Sequence, residues 1–378
     1  MAAKGVGLVM IVKDEEAVIE RALRSALPFI STYVIVDTGS TDRTKEIIGR
    51  VMSDISGLVV DRPWTNFGVN RSEALALCDG RMNWAIMLDA DDNLDGSVPP
   101  PELWSLENVD GFALRIQHGS IWHQRVQIFR TGIGWAYEGV VHESPRCLTK
   151  ANPVIAMLPP QTYMVTRCEG ARSRDPQKYA KDAAVLEAEL EKPEKKGDSR
   201  TLFYLAQSYR DAGAKANATA AYKQYLDLSG TWVQEQYMAI VNLLDLLTDE
   251  DEKIRLCWLA IELCDDRVEA PFTLLRNRRL ASLPATQQIY AIASAIPNRV
   301  PPPGALFTNP AIYAWGLDDE LAVVAFATKH YDEAYEASIR CVLRAEHPVL
   351  RENAIRNAKA AKAAKEAKTE KAATALAK

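Results

Sequence analysis

Up to about residue 165 the chain alternates short apolar runs with amphipathic stretches, and this rhythm limits its fold more than any other feature. The run VGLVMIV (6–12) has the length and Val/Ile content of a strand, and EEAVIERALRSAL (15–27) places Val18, Ala22 and Leu23 at helical spacing. YVIVD (33–37) predicts a strand and TKEIIGRVM (44–52) a helix. GLVV (57–60), NRSEALALC (70–78) and WAIMLD (84–89) repeat strand, helix, strand. Alternation of this kind builds βαβ units around a mostly parallel sheet. After residue 110 the rhythm changes: GFALRI, QRVQIF, GVVHE, PVIAM and TYMV read as consecutive strands with short turns. A parallel core followed by antiparallel strands makes a mixed α/β domain, expected over 1–170.

From about residue 173 the pattern is helical, and a second, all-α domain is expected over 171–352. In TLFYLAQSYRDAGAKANATAAYKQYL, Leu205, Tyr209, Gly213, Ala218 and Tyr222 fall where a 34-residue tetratricopeptide unit sets its small and large packing residues. A looser copy in DDELAVVAFATKHYDEAYEASIRCVL offers Leu321, Tyr331 and Ala334, and 237–300 reads as further helix pairs. PNRVPPPG (297–304) is too rich in proline for a helix and predicts a rigid connection. The remainder, 353–378, is an Ala/Lys-rich tail, helical or disordered. Its lysines at 359, 362, 365, 368 and 371 wind round the axis and are interrupted by Glu366 and Glu370, which favours a solvated helix over a polyanion-binding one.

At 378 residues there is room for two domains, and 48% hydrophobic with 25% charged residues is ordinary globular composition. A net charge of -5 points to neither nucleic acid nor an anionic membrane. The six cysteines are scattered without a CxxC pair and predict buried thiols in a reducing compartment. The opening apolar run is one strand long and ends in charge, so neither a signal peptide nor a membrane span is expected there, and the cytoplasm is the expected location.

Ligands of open α/β sheets bind at the carboxyl ends of the strands. Three polar stretches fall at such ends: Lys13–Glu16, Asp37–Asp42 and Asp89–Asp92. None is a GxGxxG or a GxxxxGK[ST] loop. Carboxylates there accept hydrogen bonds from ribose hydroxyls and base N–H groups, and they hold a Mg2+ or Mn2+ ion that bridges to phosphate. A nucleoside diphosphate with a metal accounts for all three. Each stretch alone has a plainer reading: Thr41 or Asp42 as a helix cap, Asp37 as a strand-end turn residue, Asp91–Asp92 as a surface turn. His142 alone reads equally as a surface histidine. Trp122, between His118 and His123, is either a buried core residue or part of an acceptor-side loop.

The order "MIVKDEEAVIERALRSAL", "VIVDTGSTDRTKEI", "PWTNFGVNRSEAL", "WAIMLDADDNL", "QIFR", "GVVHE" resembles the family-2 glycosyltransferases of GT-A fold, in particular the soluble group with a helical-repeat tail. The resemblance covers residues 6–145 and implies a metal-dependent, non-processive, inverting sugar transfer from a nucleoside-diphosphate donor, UDP by preference. It implies a nucleotide-sugar pocket of Val12, Lys13, Glu16, Asp37, Gly39, Ser40, Arg71, Asp89 and Ala90. In that pocket Asp37 meets the uracil or its ribose and Asp89 the ribose. Asp91 holds Mn2+ or Mg2+, with His142 a further ligand. The acceptor's proton goes to Glu143, with Glu138 as runner-up, since period two would turn Glu143 away from His142 on a strand. The chain departs from the family at Asp14, where Asn is common, at Ser72, and in lacking a QxxRW motif and the spans of polymer-extruding synthases.

The acceptor stays open among protein, saccharide, lipid, small molecule and modified nucleic acid. The helical half is expected to recognise a large acceptor, to make a homo-oligomer contact, or only to cap the sheet. Two other classes stand beside the transferase: a nucleotidyltransferase, which would show a basic glycine-rich loop near the start, and a catalytically dead scaffold, which would lose Asp37, Asp89, Asp91 and His142.

Overall fold

The computed structural model describes residues 5–119, 121–297 and 300–376. Asn298 and Arg299 of the proline-rich connection, Ser120 just before Trp122, the opening MAAK and the last two residues of the tail therefore lie outside the described residues. The chain divides into two compact units, Met1–Lys196 and Gly197–Lys378.

In the first unit β1 (Val6–Val12), β2 (Thr32–Asp37), β3 (Gly57–Asp61) and β4 (Trp84–Met87) alternate with α1 (Ile19–Ala26), α2 (Thr44–Val51) and α3 (Phe67–Cys78). All seven residues of β1 are buried, because layers cover both faces of the central strand; its unbroken apolar run follows from that. The chain continues through β5 (Asn93–Gly96), β6 (Gly111–His118), β7 (Ile121–Arg130), β8 (Trp135–Glu138), β9 (Ser144–Cys147), β10 (Ile155–Met157), β11 (Thr162–Thr166) and α4 (Lys178–Leu190). Among the described residues nine strands join one sheet in the order β3-β2-β1-β4-β7-β6-β11-β5, with β10 beside β6, while β8 and β9 form a separate hairpin. β1 pairs in parallel with β2 and β4, β2 with β3, and β6 with β10 and β11; the β4–β7, β6–β7 and β5–β11 pairs are antiparallel. The sheet is mixed and mostly parallel, as the alternation predicted.

Two of the expected strands fare differently. The later strands are not simply antiparallel, because β10 and β11 return alongside β6. GVVHE is not a strand but the bend between β8 and β9: Gly139 at φ 105° and His142 at φ 54° break the extended backbone. Val140 and Val141 are buried in that bend, which is why the segment carries strand-like residues. The period-two argument for the facing of His142 and Glu143 falls with it.

Each sheet face has its own core. Ile19, Ala22, Leu23, Ile47 and Ile48 of α1 and α2 pack on Leu8, Met10, Ile35, Ile86, Leu114 and Ile116. On the opposite face Ala74, Leu75 and Cys78 of α3, with Trp135 and Cys147 of the hairpin, pack on Val9, Ile11, Val34, Ala85 and Phe129.

The second unit is helical: α5 (Ser199–Asp211), α6 (Lys215–Leu226), α7 (Val233–Leu246), α8 (Glu250–Leu263), α9 (Glu269–Leu280), α10 (Gln287–Ser294), α11 (Leu317–Ala327), α12 (Tyr331–Arg344) and α13 (Pro348–Leu376). Leu205, Ala218 and Tyr222 are buried where α5 meets α6, and Gly213 takes φ 79° in the turn between them. Leu321 and Ala334 are likewise buried in α11 and α12. Ala354, Ala358 and Ala361 form a buried small-residue stripe on α13, Lys365 pairs with Asp332 of α12, and Lys368 lies over the Tyr331 ring.

Candidate functional site

The polar run after β2 is used first of all by the fold. Asp14 accepts from the Thr41 backbone N–H at 2.7 Å, and its own N–H donates to Ser40 Oγ at 3.1 Å. The Glu15 N–H donates to Thr44 Oγ1 at 2.8 Å and the Glu16 N–H to Asp42 Oδ2 at 3.0 Å. Thr38 binds the Val12 carbonyl through N–H and hydroxyl. Ser40, Thr41, Asp42 and Thr44 thus lock the β1–α1 loop to the β2–α2 loop. Lys13 is exposed beside them, and the Glu16 carboxylate pairs with Arg43.

Asp37 is different. It is fully buried at the end of β2, and its Oδ1 accepts from the N–H groups of Gly39 (2.9 Å) and Ser40 (2.8 Å). Its Oδ2 is buried with no hydrogen-bond partner among the described residues. Gly39 sits at φ 106°, a conformation that favours glycine and lets its N–H turn back onto the carboxylate. A buried carboxylate oxygen without a donor costs free energy, so such a group calls for a ligand or water that supplies one.

The second cluster is built across α3, β4 and the β8–β9 bend. Asn66 caps α3 by accepting from the Val69 N–H at 2.8 Å, and Ser72 Oγ accepts from the Tyr137 N–H at 2.8 Å, fixing helix to hairpin. Gly68 allows this approach: a Cβ there would lie 2.3 Å from the Gly139 carbonyl oxygen. Between them Arg71 is buried, with Nη2 donating to Asp89 Oδ1 at 2.5 Å and Nε 2.7 Å from Glu143 Oε1. The Phe67 and Tyr137 rings flank its guanidinium. Burial would lower the basicity of Arg71, but Asp89 and Glu143 raise it well above the usual range. Burial likewise pushes Asp89 up, and Arg71, with Arg125 and Arg172 beyond it, holds it below the usual carboxylate range. The cluster is a carboxylate–guanidinium–carboxylate chain at the carboxyl end of β4.

Next along the loop, Ala90 is buried and Asp91 Oδ2 accepts from the Gly170 N–H at 2.9 Å. Asp92 is buried, and its Oδ1 is without a partner among the described residues. Burial, then the neighbouring Asp89 and Asp91 charges, push its carboxyl up to about 8. Glu15 Oε2 accepts from the Ala171 N–H at 3.0 Å, and burial raises Glu15 to about 7.

The structure brings Arg71, Asp89 and Glu143 together, and it places Val12 opposite Asp37 on neighbouring strands. It does not bring Glu138 into the cluster: that side chain is exposed and pairs with Arg146 of β9 at 2.6 Å. His142 is exposed on the bend next to Glu143. The reading of the sequence missed Glu15 as a half-buried acid and missed the 168–174 segment, which returns after β11 to cap Asp91 and Glu15. The partners lie 79 and 156 residues apart, and no local pattern marks such a pairing.

Residues 8–104 match the family model described as Glycosyl transferase family 2. The chain is 33% identical over 90 residues to a TPR repeat-containing protein of Synechococcus elongatus, covering 24% of this chain and 21% of that one. It is 31% identical over 94 residues to a protein of Rickettsia bellii described as an uncharacterized glycosyltransferase, covering 25% and 30%. The chain thus spans less than a third of the length of these curated relatives. Among solved structures, S. aureus TarS 1-349 in complex with UDP-GlcNAc aligns over 75% of this chain and 93% of that one, at 14% identity and a TM-score of 0.35. The match covers about a quarter of the chain, from within β1 to past β4, and takes in Asp37, Arg71, Asp89 and Asp91 but not His142 or Glu143.

Proposed function

We propose that the α/β unit transfers a sugar from a nucleoside-diphosphate donor, UDP-linked, to an acceptor hydroxyl in a single, non-processive, inverting displacement. The observation that carries this reading is Asp37, whose buried Oδ2 lacks a donor at the carboxyl end of a central parallel strand. A uracil N–H or a ribose hydroxyl supplies that donor. Val12, Lys13, Gly39 and Ser40 surround the base end of the pocket, and Asp89, oriented by Arg71, takes the ribose.

Among the described residues no three His, Cys, Asp or Glu side chains are gathered for a metal, so a hard divalent cation, Mn2+ or Mg2+, would draw most of its ligands from phosphate and water. Asp91 keeps one carboxylate oxygen beyond the Gly170 contact, the Asp92 oxygen is unpartnered, and such ions take oxygen ligands and complete their shell with phosphate and water. Asp91 is the residue that would hold the ion, with His142 as a second ligand. When bound, the ion would neutralise charge on the departing diphosphate.

Glu143 is the proton acceptor in this reading. Arg71 fixes its Oε1, leaving Oε2 to take the proton of the attacking hydroxyl as the new glycosidic bond forms and the bond to the diphosphate breaks. Glu138, held by Arg146 out on the hairpin, is the poorer candidate. The test is UDP release from a panel of UDP-sugars, with Mn2+ or EDTA, for wild type and Glu143→Gln. The variant is expected to lose about 10²–10⁴-fold. Unchanged release in a folded Glu143→Gln protein would move the base elsewhere, and no release from any UDP-sugar by wild type would overturn the donor assignment.

A further inference from the structure

The α3 side of the sheet extends past the helix that covers its centre. Val126 of β7 packs against the α3-side core and pairs with Ala113 of β6. Two and four residues further along β6 the pairs are Arg115 with Gln124 and Gln117 with Trp122. By the period of two these side chains continue the same face. β11 adds Tyr163 opposite Arg115 and Val165 opposite Gln117, and β5 adds Asp95 opposite Tyr163. Four strands therefore present one continuous set of aromatic and planar polar side chains.

The set is ordered and open. The Arg115 guanidinium lies 4.4 Å from the Trp122 ring centroid, and Trp122 meets Tyr163 edge-on at 5.4 Å. Tyr163 faces Asp95 across the β5–β11 pair, and that carboxylate raises its hydroxyl pKa. Trp122 nevertheless keeps 39% of its surface exposed, and Gln124 is exposed beside it. β6 and β11 run parallel to β1 and β4, so this set lies at the same edge of the sheet as Asp37 and Asp89. It also lies on the face that carries α3 and the hairpin, the elements that bring Arg71 to Glu143.

We infer that this face, centred on Trp122, Tyr163 and Arg115, is a subsite for a saccharide acceptor, an inference that rests on the transferase reading above. The chemistry selects a neutral, hydroxyl-rich ligand. Aromatic surface covers the C–H face of a sugar ring at little entropic cost, and the amides of Gln117 and Gln124 offer both donors and acceptors to its hydroxyls. The patch is charge-balanced, one arginine against one aspartate. A nucleic-acid strand needs a line of cations to follow its phosphates, and the one arginine here already lies over the tryptophan.

The test uses the full chain against soluble neutral trisaccharides of glucose, mannose, xylose and N-acetylglucosamine, with a single-stranded oligonucleotide alongside. Binding is followed by saturation-transfer NMR and then by titration calorimetry. At least one trisaccharide is expected to bind, and Trp122→Ala to weaken it tenfold or more; Tyr163→Ala serves should Trp122→Ala fail to fold. No binding by any trisaccharide, or binding that neither variant weakens, overturns the inference, as does capture of the oligonucleotide through Trp122 instead. A thermal shift of the wild-type protein with UDP and Mn2+ is recorded separately. A shift without saccharide binding sinks this inference and leaves the donor reading standing, whereas saccharide binding without a shift does the reverse.

Discussion

Arg71 holds two carboxylates at once, and its removal leaves both without their cation. Breaking a largely buried ion pair by deleting one partner costs about 3–5 kcal/mol. Arg71→Ala is therefore expected to lose stability on that scale, read from urea unfolding, and to lose transfer activity as Asp89 and Glu143 drift from their positions. Glu15 supplies a pH signature. Its folded-state value of about 7 stands above the ordinary 4.5, so between those values the folded protein binds more protons than the unfolded chain. Stability contributed by this group is present at low pH and falls as pH rises through that window. In EDTA the melting temperature of wild type is expected to drop from pH 5 to 7.5 relative to Glu15→Gln, and parallel curves for the two proteins would refute the assignment. At this scale the sequence was half legible. Strand-end carboxylates could be picked out because strands end where apolar runs end. The division of labour between Asp37, which has an oxygen to spare, and Asp42, which is spent on Thr44 and Glu16, depends on partners in another loop and could not.

The elements were the most legible level. β1, β2, β4, α2 and α3 stand where alternation put them, since strands covered on both faces must be apolar throughout. β5 was hidden inside DADDNLDG, whose turn-forming residues pair with β11 despite their composition. GVVHE erred the other way, because its valines are buried in a bend rather than along a strand. That bend carries the candidate base, and its seat on α3 depends on Gly68. Gly68→Ala puts a methyl 2.3 Å from the Gly139 oxygen, so helix and hairpin must separate. Overpacking of this kind costs about 1–3 kcal/mol. The expected result is UDP release reduced by tenfold or more with only a modest drop in melting temperature; wild-type release would show that the hairpin does not position the reaction.

For the whole molecule, the change of rhythm put the domain boundary at 170/171, whereas the two compact units divide after Lys196, with α4 in the first. Every candidate donor-site residue falls in the first unit, and no helix among the described residues is long and apolar enough to cross a membrane. What the helical unit recognises could not be read, because its buried alanines, leucines and tyrosines report packing and its outer residues follow no motif. The central claim is that the carboxyl edge of the first unit holds a nucleoside diphosphate through a divalent cation at Asp91. Thermal shift of the full chain with UDP, with and without Mn2+, repeated for Asp91→Ala, tests it most directly. The account predicts a rise in melting temperature that needs both UDP and metal and disappears in the variant. A folded wild-type protein that shows no rise with UDP and Mn2+, or an Asp91→Ala protein that keeps it, would contradict the claim.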